Sequence, residues 1–147
     1  MKDTQTAPLT FGFVPLDFLD IVWPDVEPLL AGAVRTTAGR FTTDDVKRGL
    51  EDVTLMLWVV ADGTTPVAAI TTRVIEYPRC RGLALDWIGG RRMKEWLPIV
   101  QPTIQRFARD CGCTHLEGYG RKAWGRWLAR YGWEPHYIAY KMELPDE

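Results

Sequence analysis

Apolar residues recur along this chain with two periods, and the alternation between them lays out the elements. From Asp17 to Arg35, Phe18, Ile21, Val22, Val26, Leu29, Leu30 and Ala33 fall mostly three or four apart, which predicts a helix. Pro24 and Pro28 interrupt it, so it is either kinked or made of two pieces. Phe41 to Leu50 predicts a second helix: Thr42 or Thr43 can accept from first-turn amides, and Asp44 and Asp45 complement the dipole there. The period then shortens. Thr54–Ala61 reads as a strand, Asp62-Gly63 as a hairpin turn, and Pro66–Glu76 as a β-branched second strand. Tyr77-Pro78-Arg79 breaks the pattern, Arg81–Ile88 resumes it, and Gly89-Gly90 closes it.

The helical period returns at Met93. Met93, Trp96, Leu97, Val100, Ile104, Phe107 and Ala108 share one face as far as Asp110. Pro98 and Pro102 predict a kink or a later start, and Gly112 is a C-terminal cap. Thr114–Tyr119 reads as a strand, Arg121–Arg130 as a short helix, Tyr131-Gly132-Trp133 as a tight turn, and Glu134–Leu144 as a last strand. Residues 1–10 are polar and read as a loosely held arm, while Phe11–Val14 is a short strand or an anchoring segment. The order is α, α, β, β, β, α, β, α, β. An antiparallel meander followed by a β-α-β step means a mixed, mostly antiparallel sheet flanked by helices, in one domain over residues 11–147.

Composition narrows the classes. The 147 residues are 46% hydrophobic and 25% charged, as in an ordinary globular domain. A net charge of −1 gives no global pull toward nucleic acid, and no apolar run is long enough to span a membrane. The N-terminus lacks the apolar stretch of a signal peptide, and three cysteines do not make a disulfide framework, so a reducing, cytoplasmic setting is expected. Cys111-Gly112-Cys113 with His115 lacks the spacing of a zinc site, and no metal is expected. Seven tryptophans imply either a Trp-rich core or an amphipathic pocket or interface.

Candidate chemistry is sparse. Gly89-Gly90-Arg91-Arg92 precedes a helix, a place where backbone amides and a positive dipole end can meet an anion; a plain strand-to-helix turn with solvated arginines fits as well. Asp86 and Glu117 lie opposite their apolar strand neighbours and are candidate bases, or partners of arginines. Tyr119 and Tyr131 are the nearby hydroxyl donors. Lys122, Arg126 and Arg130 form a basic stripe opposite Trp124, Leu128 and Tyr131. His115 and His136 read as structural histidines.

The stretch from Thr114 to Leu144, an amphipathic helix ending in Gly132-Trp133 before a strand, resembles the C-terminal half of the GNAT superfamily of acyl-coenzyme A transferases, and the element order resembles that family from about residue 11 onward. The resemblance implies a GNAT-like α/β fold and acetyl-coenzyme A or another acyl-coenzyme A as cofactor. Its pyrophosphate would lie on Trp87, Ile88, Gly89, Gly90, Arg91 and Arg92. It also implies a small-molecule or protein amine as acceptor, beside Asp86 and Glu117. Aligned on Gly132-Trp133, Arg121 stands where the family has Asn and Leu128 where it has the Tyr that protonates the departing thiolate. Arg121 is therefore a candidate cofactor contact and Tyr131 a candidate donor. Tyr77-Pro78-Arg79, Gly89-Gly90, Gly120-Arg121 and Trp124 further resemble phage-encoded GNAT-like proteins, which implies an alternative role as a virion or assembly component acting through virion proteins or self-association.

Overall fold

A computed structural model of the chain describes residues 8–120 and 124–146. A six-stranded sheet runs in the order β1 (Leu9–Val14), β2 (Met56–Asp62), β3 (Thr65–Glu76), β4 (Arg81–Leu85) and β6 (His115–Gly118), with β5 (Ile88–Gly90) on the same side of β3 as β4. Every pairing is antiparallel except β4 with β6. Helices α1 (Leu19–Arg35) and α2 (Thr43–Glu51) cover one face; α3 (Met93–Asp110) and the short α4 (Gly125–Leu128) cover the other. The mixed α/β architecture agrees with the sequence pattern. Strand β1 begins at Leu9, inside the segment expected to be a loose arm.

Alternation along the strands fills two cores. Trp58, Val60, Ile70, Leu83 and Leu85 meet Trp96, Leu97, Val100 and Ile104 of α3. Leu57 and Ala69 on the opposite face meet Trp23, Val26 and Leu30 of α1 with Val46 and Leu50 of α2. Thr71 and Thr72 are the polar side chains fully buried in the sheet, and both are hydrogen-bonded. Thr72 Oγ1 accepts from Trp58 Nε1 at 2.9 Å, and Thr71 Oγ1 accepts from the Trp87 amide at 3.2 Å.

The two long helices run unbroken through their prolines. Pro24, Pro28, Pro98 and Pro102 are all exposed. The four-residue spacing puts each pair on the solvent side, where the carbonyls deprived of a helical partner are hydrated rather than stranded. Thr42 proves to be the α2 cap, with Asp45 completing a reciprocal box (Thr42 N to Asp45 Oδ2, 2.8 Å; Asp45 N to Thr42 Oγ1, 3.3 Å). These bonds hold the Asp45 carboxyl below its ordinary pKa.

Two expectations need correction. The run Arg81–Ile88 is not one strand. Between the paired positions Arg73–Ala84 and Ile70–Ile88, β3 advances three residues while its partner advances four, so one extra residue forms a bulge at Asp86-Trp87. Gly89-Gly90 then forms part of strand β5 rather than a loop. A Cβ on Gly89 would overlap the Leu29 carbonyl oxygen of α1, and one on Gly90 (φ 134°) would overlap β3 at Val67 and Ala68. Both glycines are demanded by close backbone contact. The second correction concerns Glu134–Leu144, which pairs with no strand of the described chain. Pro135 removes one ladder donor, and the segment runs exposed beyond the turn at Gly132 (φ 88°).

Gly89→Ala is expected to push α1 off β5 and cost about 3 kcal/mol, read as a melting temperature lower by roughly 6–12 °C. Gly12→Ala, with nothing within 4 Å of the new methyl group, should melt like the parent chain. Equal melting of both variants would mean that α1 does not rest on Gly89.

Candidate functional site

The bulge creates the site. The β4–β6 ladder ends at Leu85–Gly118; beyond it the chain follows β3 through β5 while β6 stops. The strands part, and a cleft opens between them on the α3 side, enclosing about 630 Å³ with its open mouth included. Its walls are apolar: Ile70, Leu85 and Ile88 from the sheet, Met93, Trp96 and Leu97 from α3, and Trp124, Leu128 and Trp133 from the C-terminal helix and turn. An apolar lining with few polar groups suits an organic ligand. Polar groups are few. Gln101 is clamped, donating from Nε2 to the Tyr131 carbonyl at 2.7 Å and accepting from Trp133 Nε1 at 2.9 Å. Tyr119, 83% exposed, stands at the rim.

Met93 is both a wall residue and the first residue of α3, so the helix N-terminus opens onto the cleft. The amides of Met93 and Lys94 have no carbonyl acceptor among the described residues, as expected of a first turn. Arg92 precedes it in a left-handed conformation (φ 66°), an uncommon state for a non-glycine residue. Its guanidinium holds that shape, bonding both Glu95 carboxylate oxygens at 2.9 Å and Asp62 Oδ2 at 2.7 Å. These partners, Glu95 first, raise the basicity of Arg92, and Arg92 lowers the Glu95 pKa. Arg92 is therefore occupied. Arg91 is exposed, and its guanidinium meets no partner among the described residues.

The other anticipated residues divide between the two sides. Leu83, Leu85 and Leu116 face α3, so Asp86 and Glu117 face the opposite way. Asp86 receives Arg73 in a two-pronged pair, Nε to Oδ2 at 2.7 Å and Nη2 to Oδ1 at 3.2 Å. Arg73 is made more basic, chiefly by its hydrogen bonds to Asp86. Glu117 accepts from the Tyr77 hydroxyl (2.7 and 2.8 Å) and meets His115 Nε2 at 2.9 Å, above Gly82, where a Cβ would come within 2.7 Å of both. Trp87 packs on the α1 side against Phe41, ring centroids 5.2 Å apart, rather than lining the cleft. Tyr131 lies behind the wall with its ring against Trp127, whereas Leu128 and Tyr119 line the cleft. Arg121 and Lys122 lie outside the described residues.

Gln101, Trp124 and Trp133 went unforeseen as site residues. The signal for Gln101 was a polar residue beside the apolar stripe of α3; for Trp133 it was the position after the turn glycine. Among the described residues no group of three His, Cys, Asp or Glu side chains is placed to hold a metal ion, and no helix is long and apolar enough to cross a membrane.

No family model matches the chain, and no curated protein is similar to it in sequence. Solved structures are similar in fold. An aminoglycoside acetyltransferase from an uncultured soil metagenomic sample, solved with sisomicin, superposes with a TM-score of 0.67 at 14% identity, covering 93% of this chain and 97% of that one. Glucosamine-6-phosphate N-acetyltransferase from Arabidopsis thaliana gives 0.67 at 12% identity over 93% and 99%. A GCN5-related N-acetyltransferase from Ralstonia eutropha JMP134 gives 0.63 at 19% over 92% and 98%. The chain has the GNAT acetyltransferase fold.

The Tyr77 phenol carries a pH signature. Its hydrogen bond to Glu117 pushes its pKa from 10.0 up to about 12. The folded state thus favours the protonated phenol; that contribution is complete below pH 10 and fades as the pH passes about 12. In an ultraviolet titration of the five tyrosines, one late step is expected. Tyr77→Phe should remove it and Glu117→Gln should bring it down toward 10. A late step untouched by Glu117→Gln would assign it to another tyrosine.

Proposed function

We propose that this chain binds an acyl-coenzyme A in the cleft and is an N-acyltransferase with an atypical site. The observation that carries the reading is the joining of an apolar cleft to a helix N-terminus at a parted pair of strands. The acyl group and the arm of the coenzyme suit the apolar walls. The pyrophosphate suits the Met93 and Lys94 amides, flanked by the cationic side chains of Arg91 and Lys94. Gly89 and Gly90 serve this reading indirectly, by bringing α1, β3 and β5 close enough to fix where α3 starts.

An amine acceptor would approach from the opposite face, beside Asp86 and Glu117. Transfer forms a nitrogen–carbon bond, breaks the thioester carbon–sulfur bond and releases one proton from the amine and a thiolate. Glu117, held by Tyr77 and His115 rather than by an arginine, is the better placed base, whereas Asp86 is taken up by the two-pronged bond from Arg73. Tyr119, which lines the cleft where Tyr131 does not, is the candidate proton donor to the thiolate.

Two observations favour a second reading. Both carboxylates are already engaged, and Leu128 puts no hydroxyl on the cleft wall. On this reading the protein is a non-catalytic GNAT-like module, a phage virion or assembly component that works through protein contacts. Co-sedimentation with a particle would support it, and a chain found free in every fraction would count against it.

Acetyl-coenzyme A is expected to raise the melting temperature; a ligand at a hundredfold excess over Kd adds about 2.7 kcal/mol. Arg91→Glu should weaken that binding about tenfold, since it reverses one charge beside the phosphates. Leu128→Trp should fill the cleft and abolish binding in a chain that still folds. Absence of any shift with acetyl- or longer acyl-coenzyme A at millimolar concentration would overturn the coenzyme reading.

A further inference from the structure

The wall of the cleft follows α3 inward. Met93 lines it near the mouth, where Tyr119 stands exposed, and Leu97, Val100 and Ile104 line it further along the same helix, all three buried. From Met93 to Ile104 the helix advances about 16 Å.

Nothing along that length asks for a polar ligand. Two side chains of the α3 wall carry a nitrogen or oxygen, and both spend it on the protein. Trp96 Nε1 donates to the Arg91 carbonyl at 2.8 Å. Gln101 is held at its oxygen by Trp133 and at its nitrogen by the Tyr131 carbonyl. Across from them Ile70, Leu85 and Leu116 offer carbon alone, and so does Leu128. An amide or hydroxyl carried to the inner end would exchange water for hydrocarbon, which is unfavourable.

That contrast sorts the parts of an acyl-coenzyme A. The coenzyme arm carries two amides and belongs toward the open mouth, so the part that reaches Val100 and Ile104 is what hangs beyond the sulfur. An acetyl group ends in a single methyl and leaves the inner stretch unfilled. From Leu97 to Ile104 is about 10 Å of helix, and with carbon–carbon bonds of about 1.5 Å an extended chain of roughly eight carbons spans it. We propose that the inner cleft takes an unbranched hydrocarbon chain of medium length, and that the acyl group this protein accepts is a medium-chain one rather than acetyl. The choice of carrier rests on the coenzyme reading; the choice of chain rests on the lining alone.

Calorimetric titration of the parent chain with acetyl-, butanoyl-, hexanoyl-, octanoyl- and decanoyl-coenzyme A tests it. Affinity is expected to rise about fourfold for each methylene buried, and to level off near eight carbons. Ile104→Phe fills the inner end and should stop the gain at a shorter chain. Should that variant fail to fold, Leu116→Phe does the same from the half-buried sheet side. Octanamide, which has the chain without the coenzyme, should bind the parent weakly and compete with octanoyl-coenzyme A. Equal affinity across the thioester series would overturn the proposal and leave the coenzyme reading standing. Binding of octanamide with no thioester bound would keep the hydrocarbon site and overturn the coenzyme as its carrier. A gain that reaches the same chain length in the folded phenylalanine variant overturns the placement in the inner cleft.

Discussion

One extra residue in a strand governs this molecule. At Asp86-Trp87 the chain bulges, and Thr71 holds both backbone groups of Trp87: the Thr71 amide donates to the Trp87 carbonyl at 2.9 Å, and the Trp87 amide donates back to Thr71 Oγ1. Burying a threonine is acceptable only because both its polar groups are used. Upstream of the bulge the strand serves β6, and downstream it follows β3 alone. The cleft, the position of the α3 N-terminus and the separation of the two carboxylates from the apolar walls all descend from that change of allegiance.

The arrangement separates two chemical environments by the thickness of a sheet. On the α3 side lie tryptophans, leucines and one clamped glutamine. On the other lie Arg73, Asp86, Tyr77, His115 and Glu117, each engaged with another. Charge stays out of the apolar side, where it would be expensive, and is compensated where it does occur. A group passing between the environments has to do so where the strands part.

Much of the scaffold could be read from the sequence because it is written in local periods. The apolar stripes of α1 and α3, the Thr42 cap, the Asp62-Gly63 hairpin and the Gly112 and Gly132 turns are short-range features, and they occur where the pattern puts them. The bulge could not be read, because Leu85, Trp87 and Ile88 continue a plausible strand and only the register against β3 exposes the additional residue. Gly89 and Gly90 look like a loop in the sequence; their real constraint is backbone of Leu29 and Val67, distant along the chain. The partners of Asp86 and Glu117 are likewise set by neighbouring strands. Arg73 sits across from Ala84, and Ala84 across from Glu117, so these groups share one row only after the sheet forms.

The four prolines of α1 and α3 have a mechanical consequence. A proline crowds the carbonyl one turn before it, and a helix relieves that crowding by bending away from the proline's side. Here that side is outward in both helices. A bend in that sense is convex toward solvent and curves a helix around the sheet it covers, where a straight rod would diverge from it.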